Sequence, residues 1–132
     1  MSIWGRLKDE ATNNAVLIRS SRHAAAITLR GVVVSTGVNK LKTHPLMAFH
    51  STREGQVYLH AEMDAIVKFL SRYGQEVLSD VELYVLRINK MKKMAYSRPC
   101  TDCCLHALKA FNVPVIHYTT GNPLNPVATE YL

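Results

Sequence analysis

The chain has 132 residues and a mass of 14.8 kDa, and 48% of its residues are hydrophobic, which is enough for the core of one compact domain. It has no run of the roughly 18 to 20 apolar residues that a membrane-spanning helix needs. Residues 1–9 are polar and charged rather than signal-like. We therefore expect a single domain over residues 1–132, in the cytoplasm and with no membrane partner.

The balance of charges is basic. Sixteen Lys and Arg residues against ten Asp and Glu residues give a net charge of +6, which attracts phosphorylated or polyanionic partners. Basic charge also serves solubility, and no long Lys and Arg tract is present, so the charge leaves both interpretations open.

All three cysteines lie within residues 100–104. An odd number of cysteines packed this closely cannot form the spaced disulfide framework that holds small secreted domains together. The pattern favours a reducing compartment and ligation of a metal.

The first half of the chain predicts a helix, a hairpin and a long connection. Apolar residues recur at helical spacing over residues 2–18, which predicts an amphipathic helix. Two β-branched runs follow, at residues 23–29 and 32–38, and the two residues between them are compatible with a tight turn. Residues 39–57 have no sustained period, so we interpret them as a connection able to line a site.

The second half alternates helices with strands. A helix begins near residue 60 and ends before Gly74, and residues 81–88 have the pattern of a buried strand. Residues 104–111 predict another helix, and residues 113–118 another short strand. This order predicts an α/β domain in which helices cover a sheet and helix N-termini line one edge of it, where sites are expected.

Two short segments carry the residues best suited to chemistry, and each stands at the start of a predicted helix: residues 60–62 and residues 99–103. Cys100 and Cys103 are three positions apart, which brings both sulfurs to one side of a first helical turn, near enough to bind one tetrahedral ion. His60 would supply a third ligand.

Three protein ligands leave the fourth tetrahedral position to water, which is typical of a catalytic zinc site rather than a structural one. Zinc brings the pKa of such a water down toward about 7. The positive ends of the two predicted helices would favour thiolates. Glu62 stands two residues after His60, where its carboxylate can lie beside the water and move protons.

These motifs resemble the signature of the cytidine and deoxycytidylate deaminase superfamily, which is His, any residue, Glu, and later Pro, Cys, two residues, Cys. The resemblance also covers the hairpin, residues 37–39 and the closing strand at 115–118. It implies an α/β, three-layer cytidine-deaminase-like fold, with a central mixed five-stranded sheet and helices on both faces. It also implies Zn²⁺ as the cofactor, with His60, Cys100 and Cys103 as the metal ligands.

The resemblance further implies hydrolytic deamination of a base. Zinc-activated water attacks the amino-bearing carbon, and Glu62 passes protons to a ring nitrogen and to the departing ammonia. Asn39 matches a residue that holds the sugar or the base in the family. Ala61 matches a position whose backbone touches the base, although a small residue there also suits helix packing.

The chain departs from the family at residues 89–98, which carry three lysines and Arg98 and look like a small basic insertion. A hairpin folded over the pocket would let these cations hold a substrate phosphate, with Arg98 as the main candidate, whereas a segment pointing away would be a solvated loop. Cys104 is interpreted as a packed thiol, because the next position on a helix points about 100° away from Cys103. The histidines other than His60 are interpreted as surface or packing residues, except that a substrate contact stays open for His44, which lies beside Lys42 and Thr43 in the connection ahead of the motif.

Three hypotheses remain at this point. The first is deamination of a small-molecule substrate, cytidine, deoxycytidine or dCMP, to the uracil product. The second is deamination of a base within RNA or single-stranded DNA, which the basic charge supports. The third is a non-catalytic zinc-binding domain, against which Glu62 argues because a structural site needs no such carboxylate. By resemblance to relatives we also expect a homo-oligomer, with residues 122–132 as a candidate interface tail.

Overall fold

A mixed β-sheet forms the middle layer of the chain, with helices on both faces. The computed structural model describes residues 2–14, 22–40, 59–74, 79–100 and 104–132. In chain order the elements are α1 (Ile3–Thr12), β1 (Arg22–Leu29), β2 (Val32–Val38), α2 (Ala61–Tyr73), β3 (Val81–Ile88), β4 (Met94–Ala95), α3 (Cys104–Ala110), β5 (Val115–Thr119) and β6 (Val127–Tyr131).

The strand order across the sheet is β2-β1-β3-β5-β6, with the two-residue β4 pairing to the end of β3. β1 runs antiparallel to both β2 and β3, β3 runs parallel to β5, and β5 runs antiparallel to β6. The predicted mixed sheet of five strands is confirmed, and the short β4 is an addition to it.

The two faces of the sheet carry separate cores. On one face α1 packs against β1 and β3 through a small cluster of buried residues: Leu7, Ala11, Ala24, Ala26, Leu86 and Ile88. On the other face α2 and α3 cover the sheet through a larger cluster that includes Ile66, Phe69, Leu108, Ile27, Val85 and Ile116. Neighbouring residues of β1 belong to opposite clusters, as the period of two in a strand requires. The three-layer arrangement is therefore confirmed.

The first helix is shorter than predicted. It ends at Thr12, where Asn13 is the C-cap residue and its backbone N–H donates to the carbonyl of Asp9. Asn14 is buried and its side chain donates to Asn39 instead of pointing to solvent. Residues 15–18 of the predicted helix lie outside the described residues. No helix in the described parts of the chain is long and apolar enough to cross a bilayer.

The basic insertion folds as a hairpin. β4 pairs antiparallel to the end of β3, and the Asn89 side chain accepts hydrogen bonds from the backbone N–H groups of Met91 and Lys93, at 2.9 and 3.1 Å. Lys92 adopts a positive φ of 58°, which closes the turn. The lysines of this turn are exposed to solvent.

The C-terminal segment was expected as a tail, and it forms a strand instead. The side chains of β6 alternate in burial. Ala128 and the following Leu132 pack against the larger core, whereas Val127, Thr129 and Tyr131 are exposed. This alternation is the signature of a half-buried strand. β6 thus extends the sheet beyond β5 as its edge strand.

Candidate metal centre

The first turn of α2 lies close to β2 because residue 37 is a glycine. A Cβ atom at Gly37 would lie 2.4 Å from the backbone N of Ala65 and 2.6 Å from the carbonyl O of Ala61, closer than atoms can approach. The absent side chain lets the backbones of strand and helix touch. This contact fixes where the N-terminus of α2 lies relative to the sheet.

Asp64 anchors the same turn electrostatically. Its carboxylate is buried and accepts from the backbone N–H of Val38 at 3.1 Å, from Lys40 Nζ at 3.1 Å and from Lys68 Nζ at 3.0 Å. A buried carboxylate is stable only when it is paired and hydrogen-bonded in this way. The acidic residues Glu62 and Asp64 also suit the positive end of the helix.

The N-terminal ends of α2 and α3 meet at a group of three ligating side chains. His60 is the N-cap residue of α2, Glu62 lies in its first turn, and Cys104 begins α3. The ligand atoms of these three residues all lie within 4.8 Å of one another, and Cys104 Sγ is 3.1 Å from His60 Nδ1. Glu62 is only 4% exposed and Cys104 is fully buried.

The donor set of this group fits a zinc ion. Imidazole nitrogen and cysteine sulfur are ligand atoms that zinc takes in proteins, and His60 and Cys104 are close enough for one ion to reach both, with the Glu62 carboxylate within 4.8 Å of both ligand atoms. A cation would also offset the cost of burying the Glu62 carboxylate. The arrangement can therefore hold a metal next to a buried group able to carry protons.

The predicted metal ligands are placed as follows. His60 belongs to the group of three. Cys100 is half-buried against the larger core, and its carbonyl accepts from the backbone N–H of Leu105 at 2.8 Å, which brings it to the first turn of α3. Cys103 lies outside the described residues. Cys104, interpreted from the sequence as a packed thiol, is buried, and it also contacts His60. The adjacent pair Cys103 and Cys104 is the sequence signal from which Cys104 could have been predicted as a metal ligand.

The predicted substrate residue Asn39 follows β2 and is buried next to the beginning of β1. Its Oδ1 accepts from Asn14 Nδ2 and from the backbone N–H of His23, both at 3.0 Å. Asn14 Nδ2 also donates to the Asn39 carbonyl at 3.1 Å. These bonds fix the orientation of the Asn39 side-chain amide. They also connect the residue that follows α1 to the residue that follows β2. Ala61, the other predicted contact in this region, is fully buried in the first turn of α2.

His23 is a neighbour of the site that the sequence did not single out. Burial lowers its pKa to about 4, with smaller electrostatic contributions from Arg87 and His60. The ring is therefore neutral at physiological pH. Its backbone N–H, as described above, donates to Asn39.

Arg98 is bound to the C-terminal strand. Its Nε lies 2.6 Å from Glu130 Oε2 and its Nη2 lies 3.1 Å from Glu130 Oε1, a two-point contact that suits the fork of a guanidinium. Hydrogen bonding by Arg98 lowers the pKa of Glu130. The candidate phosphate anchor thus has a carboxylate partner from β6.

The comparisons with known proteins bear on the fold. No family model and no curated protein sequence matches the chain. Among solved structures, the cytidine deaminase from Burkholderia pseudomallei aligns with a TM-score of 0.61 and 15% identity over 99% of this chain and 93% of that one. The enzyme from Mycobacterium leprae aligns with a TM-score of 0.56 and 18% identity over 98% and 94%.

The cytidine deaminase from Mycobacterium tuberculosis gives a similar result, with a TM-score of 0.55 and 18% identity over 96% of this chain and 89% of that one. Each alignment spans nearly the whole length of both chains, but the sequence identity is too low for the function to be inferred from it. The chain has the cytidine deaminase fold.

Proposed function

We propose that the protein is a zinc-dependent hydrolytic deaminase that converts a cytosine nucleoside or nucleotide, cytidine, deoxycytidine or dCMP, to the uracil product and ammonia. The observation that carries the proposal is the group formed by His60, Glu62 and Cys104, whose ligand atoms lie within 4.8 Å of one another. The likeness in fold to cytidine deaminases supports it. A buried carboxylate beside two metal-ligating side chains suits proton transfer at a metal.

The ligand set proposed from the motif is His60, Cys100 and Cys103. The 3.1 Å contact between Cys104 Sγ and His60 Nδ1 adds Cys104 as a further sulfur within reach of the same ion. When bound, zinc supplies a hydroxide nucleophile at neutral pH by lowering the pKa of a water toward about 7. The side chains of this ligand set would hold the metal, and the burial of Glu62 and Cys104 keeps these two groups away from bulk solvent.

Glu62 is the proposed catalytic acid and base. Its carboxylate would take the proton of the attacking water and deliver protons to the ring nitrogen and to the leaving ammonia. Its position in the first turn of α2, behind the N-cap residue His60, holds the carboxylate next to the metal ligands. Positioned proton transfer of this kind contributes roughly 10²- to 10⁴-fold to a rate.

Three residues are proposed to contact the substrate. Asn39 would hold the sugar or the base with an amide already oriented by Asn14, and the backbone of Ala61 would touch the base. Arg98 would bind a substrate phosphate. Because Glu130 already engages two nitrogens of Arg98, a phosphate would have to compete with that carboxylate or share the guanidinium with it.

The experiment that tests the proposal is ammonia release by the zinc-loaded protein, measured against cytidine, deoxycytidine, dCMP, guanine, adenosine and a short single-stranded oligonucleotide. Turnover of a free cytosine compound supports it. Turnover of the oligonucleotide alone would favour deamination within nucleic acid, for which the exposed lysines of the β3–β4 hairpin are the supporting observation. Bound zinc without turnover of any compound would leave a non-catalytic zinc domain and contradict the proposal.

A further inference from the structure

Two adjoining clefts lie along the edge strand β2, bordered by α1 and α2. The first has a volume of about 370 Å³ and the second about 360 Å³, and Thr36 and Lys68 line both. Arg72, in the first cleft, lies ten residues after Glu62, which corresponds to about 15 Å along the helix axis. The first cleft is therefore separate from the metal group.

The first cleft is rich in positive charge. Within the described parts of the chain, three cations line it: Arg6 from α1, and Lys68 and Arg72 from α2. Arg6 pairs with Glu10 at 3.5 Å, in an exposed i,i+4 contact that contributes little. Lys68 shares the Asp64 carboxylate with Lys40, so two ammonium groups lie on one negative charge.

Arg72 adds to this excess. Its guanidinium lies 5.6 Å from the centre of the Tyr73 ring, and no carboxylate in the described parts of the chain lies within salt-bridge distance of it. Among the described residues around the cleft, Lys40 and Lys68 stand against Asp64, Arg6 stands against Glu10, and Arg72 is added to them. This leaves about two positive charges, which is the charge that a phosphate monoester neutralises at neutral pH.

We propose that this cleft binds the phosphate group of a phosphorylated small molecule. Two guanidinium groups can each present paired N–H donors to phosphate oxygens, and the Thr36 hydroxyl is a neutral donor at the junction of the two clefts. Each volume lies in the range typical of small-molecule sites, and the second cleft gives the rest of the ligand room beside the first. This site goes beyond deamination and does not depend on it.

The test measures binding by calorimetry with three probes: inorganic phosphate, adenosine monophosphate and a short single-stranded oligonucleotide. The double variant Arg6→Gln and Arg72→Gln removes two cleft cations. Its matched control, Lys8→Gln and Lys109→Gln, removes two exposed cations that do not line the cleft. The control and the cleft variant therefore have the same net charge. We expect the cleft variant to bind adenosine monophosphate at least about tenfold more weakly, with the control unchanged.

A second measurement locates the site without any substitution. Adding adenosine monophosphate to the wild-type protein should shift the backbone amide resonances of residues 33–36 in a heteronuclear NMR spectrum. The proposal is overturned if no phosphate-bearing probe binds, if only the oligonucleotide binds, if both double variants weaken binding equally, or if the shifts cluster at the β3–β4 turn instead.

Discussion

Cys104 Sγ lies 3.1 Å from His60 Nδ1, and this contact joins the beginning of α3 to the beginning of α2. The two residues are 44 positions apart in the chain. Glu62 lies within 4.8 Å of both ligand atoms. The sheet thus holds two helix ends so that a nitrogen, a sulfur and a carboxylate face one point, and the proposed chemistry depends on that convergence.

The contribution of each cysteine to metal binding can be separated by serine substitutions. We expect Cys100→Ser and Cys103→Ser to lose zinc, because they are the motif ligands. Because of the contact with His60, we expect Cys104→Ser to weaken zinc affinity by roughly 10- to 100-fold. Zinc content after dialysis against a chelator of known affinity measures all three. Unchanged zinc affinity in Cys104→Ser would mean that the thiol only packs.

The close approach of β2 and α2 predicts a large effect of a single methyl group. Gly37→Ala would push the added Cβ into the backbone of Ala65 and Ala61, so we expect a loss of about 1 to 3 kcal/mol or more in the free energy of unfolding, together with weaker zinc binding. Gly31→Asn is the control, because no atom lies within 4 Å of the added Cβ and Asn tolerates its positive φ. Urea unfolding that gives the same stability for both variants would contradict the packing argument.

His23 predicts a pH dependence of stability. Its pKa is about 4 in the folded protein against 6.5 in the unfolded chain, so the unfolded chain binds more protons between these pH values. The free energy of unfolding should therefore fall as the pH is lowered from 6.5 to 4, by on the order of 1 to 3 kcal/mol because the ring is partly exposed. Above pH 6.5 this contribution is constant. Urea unfolding at several pH values measures how the free energy of unfolding changes with pH. This change between pH 4 and 6.5 should be smaller for His23→Gln than for the wild type, and an identical change would contradict the assignment to His23.

Substitutions in the Arg98–Glu130 pair can distinguish a structural role of Arg98 from a role in substrate binding. A double-mutant cycle with Arg98→Gln and Glu130→Gln should give a coupling energy of about 0.5 to 1 kcal/mol, because the pair is two-point but partly exposed. If Arg98 also binds phosphate, Arg98→Gln raises KM for dCMP more than for deoxycytidine, whereas Glu130→Gln does not. Equal effects of Arg98→Gln on the two KM values would restrict Arg98 to its contact with β6.

Much of the fold follows from local patterns. The β-branched runs that became β1 and β2 and the apolar stripe of α2 predicted the central elements, because burial on one face imposes a period on each of them. The signal was weaker at both ends of the chain. Asn13 ends α1 where an apolar period continued in the sequence, and β6 alternates too briefly between Val127 and Tyr131 to stand out from a tail.

The candidate site was predictable only in part. The spacing of His60 and Glu62 on a helix defines their relation from local geometry. The partners of Asn39, Arg98 and Cys104 depend on long-range contacts with Asn14, Glu130 and His60, which no local pattern encodes. Two adjacent cysteines also differ in direction by about 100° on a helix, so the choice between them depends on how the helix begins.

Ammonia release from cytidine, deoxycytidine and dCMP by the wild-type protein and by Glu62→Gln, with the zinc content of both determined, tests whether Glu62 transfers protons at a bound zinc ion. Glutamine keeps the shape of the side chain but cannot accept and return a proton as the carboxylate does. We expect turnover by the zinc-loaded wild type and a loss of at least about 100-fold in Glu62→Gln with zinc retained. Equal turnover by both proteins, or full turnover after the zinc has been removed, would contradict this expectation.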